Sequence, residues 1–305
     1  MPERGNPARP VVGLALGSGS ARGWSHIGVI RALAEAGIRP HLIAGSSIGA
    51  FVGAAHASGD LDKLENWVRG LEWKSVLALL DLSFAGGLVK GERLMSFFSE
   101  HFVDQDFSAL DIPLGCVATD LATGREIWLR EGSVVAAVRA SIAIPGLLTP
   151  VERDDRLLVD GGLVNPVPVS VCRAMGADVV IAVDLGSDLI GRALRRSAPV
   201  ADPDADDGTY GEETDMATAF ARWRRKRRQR AESLPSLVGV LTASIQIMET
   251  RIARSRLAGE PADVMLTPRL GHLALMHYHR AAEAIAEGRA AVERMLPAIR
   301  HALQT

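Results

Sequence analysis

Two short apolar runs near the start of the chain are separated by one stretch of helical periodicity. The runs are Val11–Leu16 and His41–Ala44, and the helical stretch between them begins near Ile27 and stops near Gly37. Short runs without polar alternation are typical of strands buried on both faces. Two strands joined by one helix lie parallel in a sheet, with a right-handed crossover. This part of the chain therefore predicts an α/β fold built on a parallel sheet.

The same alternation continues along most of the chain. We predict further strands at 110–119, 126–130, 156–159, 178–184 and 262–267, and helices at 48–57, 61–82, 133–142, 169–175, 237–256 and 278–303. Aromatic residues make up only 5% of a chain that is 48% hydrophobic. This balance favours helices packed closely on a parallel sheet over an all-β sandwich.

Composition changes in the second half of the chain, where an acidic, turn-rich stretch precedes the basic run Arg222–Arg230. Such a segment is typical of an insertion outside the core. We therefore predict a core unit at residues 11–190, a flexible charged insertion at 191–235, and helices and a strand at 236–305 that complete the same domain.

Overall charge and cysteine content exclude several classes of protein. The formal net charge is −2, which gives no general attraction for nucleic acid. Cys116 and Cys172 have no metal-ligand spacing and predict buried, reduced thiols. No secretory signal follows Met1, and no apolar run reaches the ~18 residues of a membrane span. We expect a cytoplasmic protein that meets membranes, if at all, peripherally at their inner face.

The segment Gly45-Ser46-Ser47-Ile48-Gly49 matches the G-x-S-x-G pattern of a nucleophile elbow. Small residues at both flanks allow a tight turn that exposes its central residue, and the following helix N-terminus favours developing negative charge. The segment follows an apolar strand and opens a helix, which is the context that the motif requires. Ser47 is therefore a candidate nucleophile, and an ordinary helix N-cap is the alternative.

The glycine-rich loop Gly17–Gly23 lies upstream of this turn. It does not match a dinucleotide-binding loop, because its spacing is G-x-G-x-x-x-G and the second strand lacks the acidic residue that holds a ribose. Its backbone N–H groups could instead stabilise the oxyanion formed when a serine attacks an ester. Arg22 would hold this loop in place or bind an anionic head group.

A serine needs a base to take its proton. The chain has eight histidines, and of these only His272 approaches the late strand-end position at which α/β-hydrolases carry their base. Asp160 is the other candidate, because it stands where a strand gives way to Gly161 and Gly162. Considered alone, Asp160 also fits an ordinary Asp-Gly turn.

Together these segments resemble the patatin-like phospholipases, especially small bacterial members of the RssA type. The resemblance covers roughly residues 11 to 190 and extends to the tail. It rests on four stretches in order, which are Leu14–Val29, Gly45–Gly49, Arg139–Gly146 (containing Ala140-Ser141 and Pro145) and Val159–Gly162.

The resemblance implies a three-layer α/β/α fold with a mostly parallel central sheet. It implies a Ser47–Asp160 dyad without a histidine, supported by Gly45 and Gly49, and an oxyanion hole formed by the backbone of Ser18, Gly19 and Ser20. Serine adopts a positive φ less readily than glycine, so we expect Ser18 and Ser20 to affect the rigidity of this loop. No cofactor or metal is implied, and the expected substrates are acyl esters of phospholipids, lysophospholipids or related lipids.

Several alternatives stay open from sequence. The same acyl-enzyme could serve a thioesterase, an acyltransferase or a general carboxylesterase, and a weakly catalytic regulatory protein could share the fold. The run 222–230 is either a solvated stretch or a peripheral contact with anionic lipid. The apolar stretch Val76–Phe84 is either a buried helix end or a flap, and the oligomeric state is undetermined.

Overall fold

The structure is a computed structural model that describes residues 10–72, 105–187 and 237–304. Its strands are β1 (Val12–Leu16), β2 (Leu42–Ser46), β3 (Leu114–Asp120), β4 (Glu126–Leu129), β5 (Val151–Arg153), β6 (Arg156–Asp160), β7 (Val179–Val183) and β8 (Val264–Leu266). Its α-helices are α1 (Ser25–Glu35), α2 (Ile48–Ala57), α3 (Leu61–Arg69), α4 (Val134–Ser141), α5 (Val169–Ala174), α6 (Leu237–Gly259) and α7 (Ala281–Ala302). Short 3₁₀ turns cover Ser20–Trp24, Phe107–Ala109, Gly161–Leu163 and Tyr278–Arg280.

The described strands form one mixed sheet in the order β5-β6-β3-β2-β1-β7-β8, with β4 paired to β3. The five neighbours from β3 to β8 are parallel. Gly13 of β1 pairs with Leu42 of β2, which confirms the parallel pair predicted around α1. Pairing is antiparallel for β4 and β6 against β3, and for β5 against β6.

Helices cover both faces of this sheet. On one face Leu14, Leu16 and Ile43 pack with residues of α1, α2, α4 and α7. On the other face Ala15 and Ala44 pack with residues of α5 and α6. Because successive side chains of a strand point to opposite faces, two separate cores form. The predicted three-layer α/β/α architecture is confirmed.

Strands β2 and β6 pair with the same edge of β3, and β6 begins its pairing at the residue after the one where β2 ends. Val117 pairs with both β2 and β4, so these two strands lie on opposite edges of β3. Ala118 pairs with both β4 and β6, so β6 also lies opposite β4 and therefore on the edge of β2. Since β2 is parallel and β6 antiparallel to β3, the carboxyl ends of β2 and β6 point at each other.

Three predicted elements differ from the structure. The helix expected at 61–82 ends at Arg69, with Gly70 as its C-cap, and residues beyond 72 lie outside the described part. The strand expected from 110 begins at Leu114. The closing helix is preceded by a 3₁₀ turn at Tyr278–Arg280. The candidate flap at 76–84 and the whole of the predicted insertion at 191–235 also lie outside the described residues, so the domain boundaries remain a prediction.

Candidate active site

Ser47 occupies the junction between β2 and α2 in a strained, positive-φ backbone conformation, with φ 55° and ψ −125°. The positions two residues before and after it must be glycine, because a Cβ on Gly45 would lie 2.5 Å from Ala50 Cα and one on Gly49 would lie 2.0 Å from the Leu16 carbonyl oxygen. The Ser47 N–H donates to Ser141 Oγ at 2.9 Å. The strained turn is thus held by close packing on both sides and by the hydrogen bond that it donates to α4.

Asp160 ends β6, and the chain then leaves the sheet through Gly161 and Gly162. A Cβ on Gly161 would lie 2.2 Å from the Val117 carbonyl oxygen, so only glycine fits at that position. Gly162 N–H donates to Asp160 Oδ1 at 2.7 Å, which fixes the orientation of the carboxyl group. The Asp-Gly-Gly sequence is therefore both a tight exit from the sheet and a support for the acid.

The side chains of Ser47 and Asp160 are hydrogen-bonded. Ser47 Oγ donates to Asp160 Oδ2 at 2.6 Å, and the two residues are only 4% and 1% exposed. Burial raises the pKa of Asp160 to about 7, although the hydrogen bonds from Ser47 and Gly162 act in the opposite direction. A carboxylate with a pKa near neutrality is suited to accept and return a proton under ordinary conditions.

Histidines take no part in this arrangement among the described residues. His26 Nε2 donates to the Gly17 carbonyl oxygen at 2.8 Å, and burial lowers the pKa of its ring to about 4, so it is neutral. His272, the position closest to that of a hydrolase base, is paired with Glu283. In the described part of the chain, Asp160 is the titratable group hydrogen-bonded to Ser47.

The glycine-rich loop packs beside the elbow. A Cβ on Gly23 would lie 2.3 Å from two carbons of Ile48, the residue that follows Ser47. The Ser18 N–H donates to the Pro166 carbonyl oxygen at 2.8 Å, so this amide is already engaged. The amides of Gly19 and Ser20 have no acceptor among the described residues. Two of the three amides expected in the oxyanion hole are therefore available as donors.

Ser20 has a positive φ of 53°, the conformation that serine adopts less readily than glycine. Its hydroxyl donates to the Leu275 carbonyl oxygen at 2.9 Å and lies 2.6 Å from the Tyr278 hydroxyl. The Ala21 N–H also donates to Leu275 at 3.1 Å. Hydrogen bonds to Leu275 and Tyr278 therefore stabilise a positive φ at Ser20, which a glycine would adopt without such support.

Arg22 is 2% exposed and lies beneath the same loop. Its Nε donates to the Gly19 carbonyl oxygen at 3.2 Å and its Nη1 to the Leu185 carbonyl oxygen at 3.3 Å. Because the guanidinium is buried and bonded to the loop backbone, its position favours the loop-holding role over contact with a lipid head group.

Sequence reasoning missed three residues that the structure brings to the site. Ser141, which holds the Ser47 amide, lies in a stretch noted only for its resemblance, and that stretch was the available signal. Tyr278 and Glu249 come from the last third of the chain, where no motif marks them. Glu249 Oε1 would lie 2.4 Å from a Cβ placed on Gly162.

The chain is similar to proteins of one family. A family model described as patatin-like phospholipase matches residues 14–173. An uncharacterized NTE family protein of Mycobacterium tuberculosis is 34% identical, over 95% of this chain and 92% of that protein. Human patatin-like phospholipase domain-containing protein 6 is 37% identical, over 58% of this chain and 13% of that protein.

Among solved structures, VipD from Legionella pneumophila aligns with a TM-score of 0.49 and 16% identity, over 95% of this chain and 67% of that chain. Within the described ranges, none of the helices combines the length and the apolar character needed to span a bilayer.

Proposed function

Because this chain belongs to the patatin-like phospholipase family, and is therefore a lipid acyl hydrolase, we propose that Ser47 and Asp160 are its catalytic dyad. The observation that carries this proposal is the 2.6 Å hydrogen bond from Ser47 Oγ to Asp160 Oδ2 in a buried site. The substrates that we propose are acyl esters of phospholipids, lysophospholipids or related lipids.

In the first half of the proposed reaction, Ser47 Oγ attacks the ester carbonyl carbon while Asp160 accepts the hydroxyl proton. The carbonyl oxygen becomes an oxyanion, which the amides of Gly19 and Ser20 stabilise together with the N-terminal end of α2. When the tetrahedral intermediate collapses, Asp160 returns its proton to the departing alcohol. Ser47 is left acylated, and Asp160 is again a carboxylate.

In the second half, Asp160 takes a proton from a water molecule that attacks the acyl-enzyme. The same amides stabilise the second oxyanion. Collapse of this intermediate releases the fatty acid, and the proton on Asp160 returns to Ser47 Oγ. One carboxylate thus serves as base and acid in both halves, so no histidine is required.

Lipid substrates lie at interfaces, and we propose that the basic run 222–230 brings the enzyme to anionic membranes. Basic residues near such a surface contribute about 1 kcal/mol each. Co-sedimentation with phosphatidylglycerol vesicles tests this: a variant with the run neutralised should bind far less than the wild type. Equal binding by both proteins would remove this part of the proposal.

A substrate panel tests the function. Purified wild type, Ser47→Ala and Ser46→Ala proteins are incubated with phospholipid, lysophospholipid, simple esters and acyl thioesters, with and without an added acyl acceptor. We expect fatty acid release from the lipids by the wild type and the Ser46→Ala control, and none by Ser47→Ala. Preferred thioester cleavage or acyl transfer would replace the proposed substrate class. A folded wild type with no turnover would instead indicate a regulatory protein.

A further inference from the structure

Helix α6 delivers an acidic side chain to the candidate site from the far end of the sequence. Glu249 lies beside Thr250 and one turn before Ala253, which are 4% and 3% exposed and mark the inward face of the helix. An ion pair from Arg256 Nη2 to Glu126 Oε2, at 2.6 Å, attaches the same helix to β4. Glu249 is therefore directed at the sheet by an anchored helix.

Three oxygen atoms converge above Gly162. A Cβ on this glycine would lie 2.4 Å from Glu249 Oε1, 3.0 Å from Asp160 Oδ1 and 3.0 Å from Ser18 Oγ. The two carboxyl groups are thus within the ~6 Å over which one charge alters the ionisation of another. Glu249 is also hydrogen-bonded to the Ser18 side chain. Glu249 therefore lies next to Asp160 and is hydrogen-bonded to the glycine-rich loop through Ser18.

The charges around Glu249 come from several elements. Asp160 faces it from the end of β6, Arg22 from the loop, and Asp184 from the end of β7 on the same recess. The Tyr278 hydroxyl lies across the loop, close enough for the Asp160 charge to act on it. Arg22 is the positive group among them, and its guanidinium already donates to two backbone carbonyl oxygens.

A buried carboxyl group and a half-buried one this close cannot both ionise readily at neutral pH. Asp160 receives two hydrogen bonds that stabilise its anion, from Ser47 Oγ and Gly162 N. Burial and the Asp160 charge raise the pKa of Glu249 to about 8, with Arg22 and Ser18 opposing them. Asp160 therefore takes the first negative charge, and Glu249 keeps its proton.

We propose that Glu249 is a positioning residue of this active site, neutral while the enzyme works, and that its ionisation switches the site off. The proposal rests on the proposed function. Neutral Glu249 holds the loop through Ser18 and adds no negative charge next to the Asp160 carboxylate. Ionised Glu249 puts negative charge beside Gly19 and Ser20, where the oxyanion must form, and opposes the charge on Asp160.

The pH profile of kcat/KM tests this role. The wild type should give a bell-shaped profile, with the acid limb from Asp160 and the alkaline limb from Glu249. Glu249→Gln keeps the shape of the neutral acid, so it should retain the acid limb and lose the alkaline one, giving at least tenfold higher relative activity near pH 10. Gln246→Ala, a neutral change lining the same recess, should keep the bell. An alkaline limb unchanged in Glu249→Gln would overturn the proposal.

A second measurement works without substrate. If native Glu249 keeps its proton while the unfolded chain, with an ordinary pKa of ~4.3, has released it, stability declines as pH rises between those two values. Glu249→Gln cannot lose a proton, so its melting temperature relative to the wild type should climb from pH 5 to pH 8. A constant difference over this range would contradict a protonated Glu249. Absence of hydrolysis by the wild type would defeat the proposed function and leave this readout intact.

Discussion

Ser47 and Asp160 meet because the strands that lead to them, β2 and β6, run towards each other along the same edge of β3. Ser46 pairs with Val117 and Asp160 pairs with Ala118, the next residue of β3. Neither strand can continue without colliding with the other, so each leaves the sheet at once. The tight turn at Ser47 and the two glycines after Asp160 are the consequences of this head-on arrangement.

The hydrogen bond between Ser141 and the Ser47 amide predicts that Ser141 supports the elbow. Ser141→Ala leaves a buried N–H without its acceptor, which costs about 1–3 kcal/mol. We expect a lower denaturation midpoint in urea and a lower kcat, since the strained turn loses its contact with α4.

Ser46→Ala is the matched control for this change. The Ser46 hydroxyl is buried and has no hydrogen-bond partner within the described ranges, so its removal should leave the midpoint unchanged or raise it. If Ser141→Ala were as stable and active as Ser46→Ala, the contact from α4 would have no role in holding the turn.

The close packing of Gly161 predicts that no larger residue fits next to Asp160. Gly161→Ala would put a Cβ 2.2 Å from the Val117 carbonyl oxygen, and backbone at this point cannot move without breaking the pairing of β3. Overpacking of this kind costs about 1–3 kcal/mol or more. Thermal unfolding should show a clearly lower melting temperature than for Gly259→Ala, where the added Cβ meets open space. Equal melting temperatures would show that the site has room that the structure lacks.

The pKa of Asp160 predicts the acid limb of activity. The base must be ionised, and burial raises its pKa to about 7, so the active form is lost as pH falls below that value. We expect log kcat/KM to decline with unit slope below neutrality, measured with an ester that does not itself titrate. Full activity retained at pH 5 would mean that Asp160 is not the proton acceptor.

The contacts of Ser20 predict how a serine can replace glycine in the glycine-rich loop. Ser20→Ala keeps the positive φ but loses the bonds to Leu275 and Tyr278, whereas Ser20→Gly loses the same bonds and relieves the strain. We therefore expect kcat to fall about tenfold in the alanine variant, and less in the glycine variant, with KM little changed. Identical kcat values for the two variants would show that backbone strain at this position is irrelevant.

Most of the fold follows from local patterns, because each strand and helix of the core carries its own periodicity. The unit formed by β1, α1 and β2 and the elbow at Ser47 can be predicted because residues close together in sequence determine their conformation. The direction of β6 cannot be predicted in this way, since the run 156–159 has the same apolar character whether it pairs parallel or antiparallel. The sequence predicts only that Asp160 ends a strand, whereas the structure shows that this strand is antiparallel to β3.

The remaining parts of the site depend on contacts that sequence patterns do not encode. Tyr278 and Leu275 support Ser20 from more than 250 positions away. Glu249 lies in a helix with no motif, and only its packing against Gly162 makes it notable. The engagement of the Ser18 amide by Pro166 likewise follows from how two loops meet, not from the glycine pattern.

Covalent labelling with a fluorophosphonate tests the central claim most directly, because it reports the activated serine itself. Wild type and Ser46→Ala proteins, followed by intact mass spectrometry and peptide mapping, should gain one adduct on Ser47. Ser47→Ala should gain none, and Asp160→Asn should label at least a hundredfold more slowly, as expected when a general base worth about 10²–10⁴ is removed. Labelling of Ser47→Ala at the wild-type rate, or of Asp160→Asn without any loss of rate, would contradict the dyad.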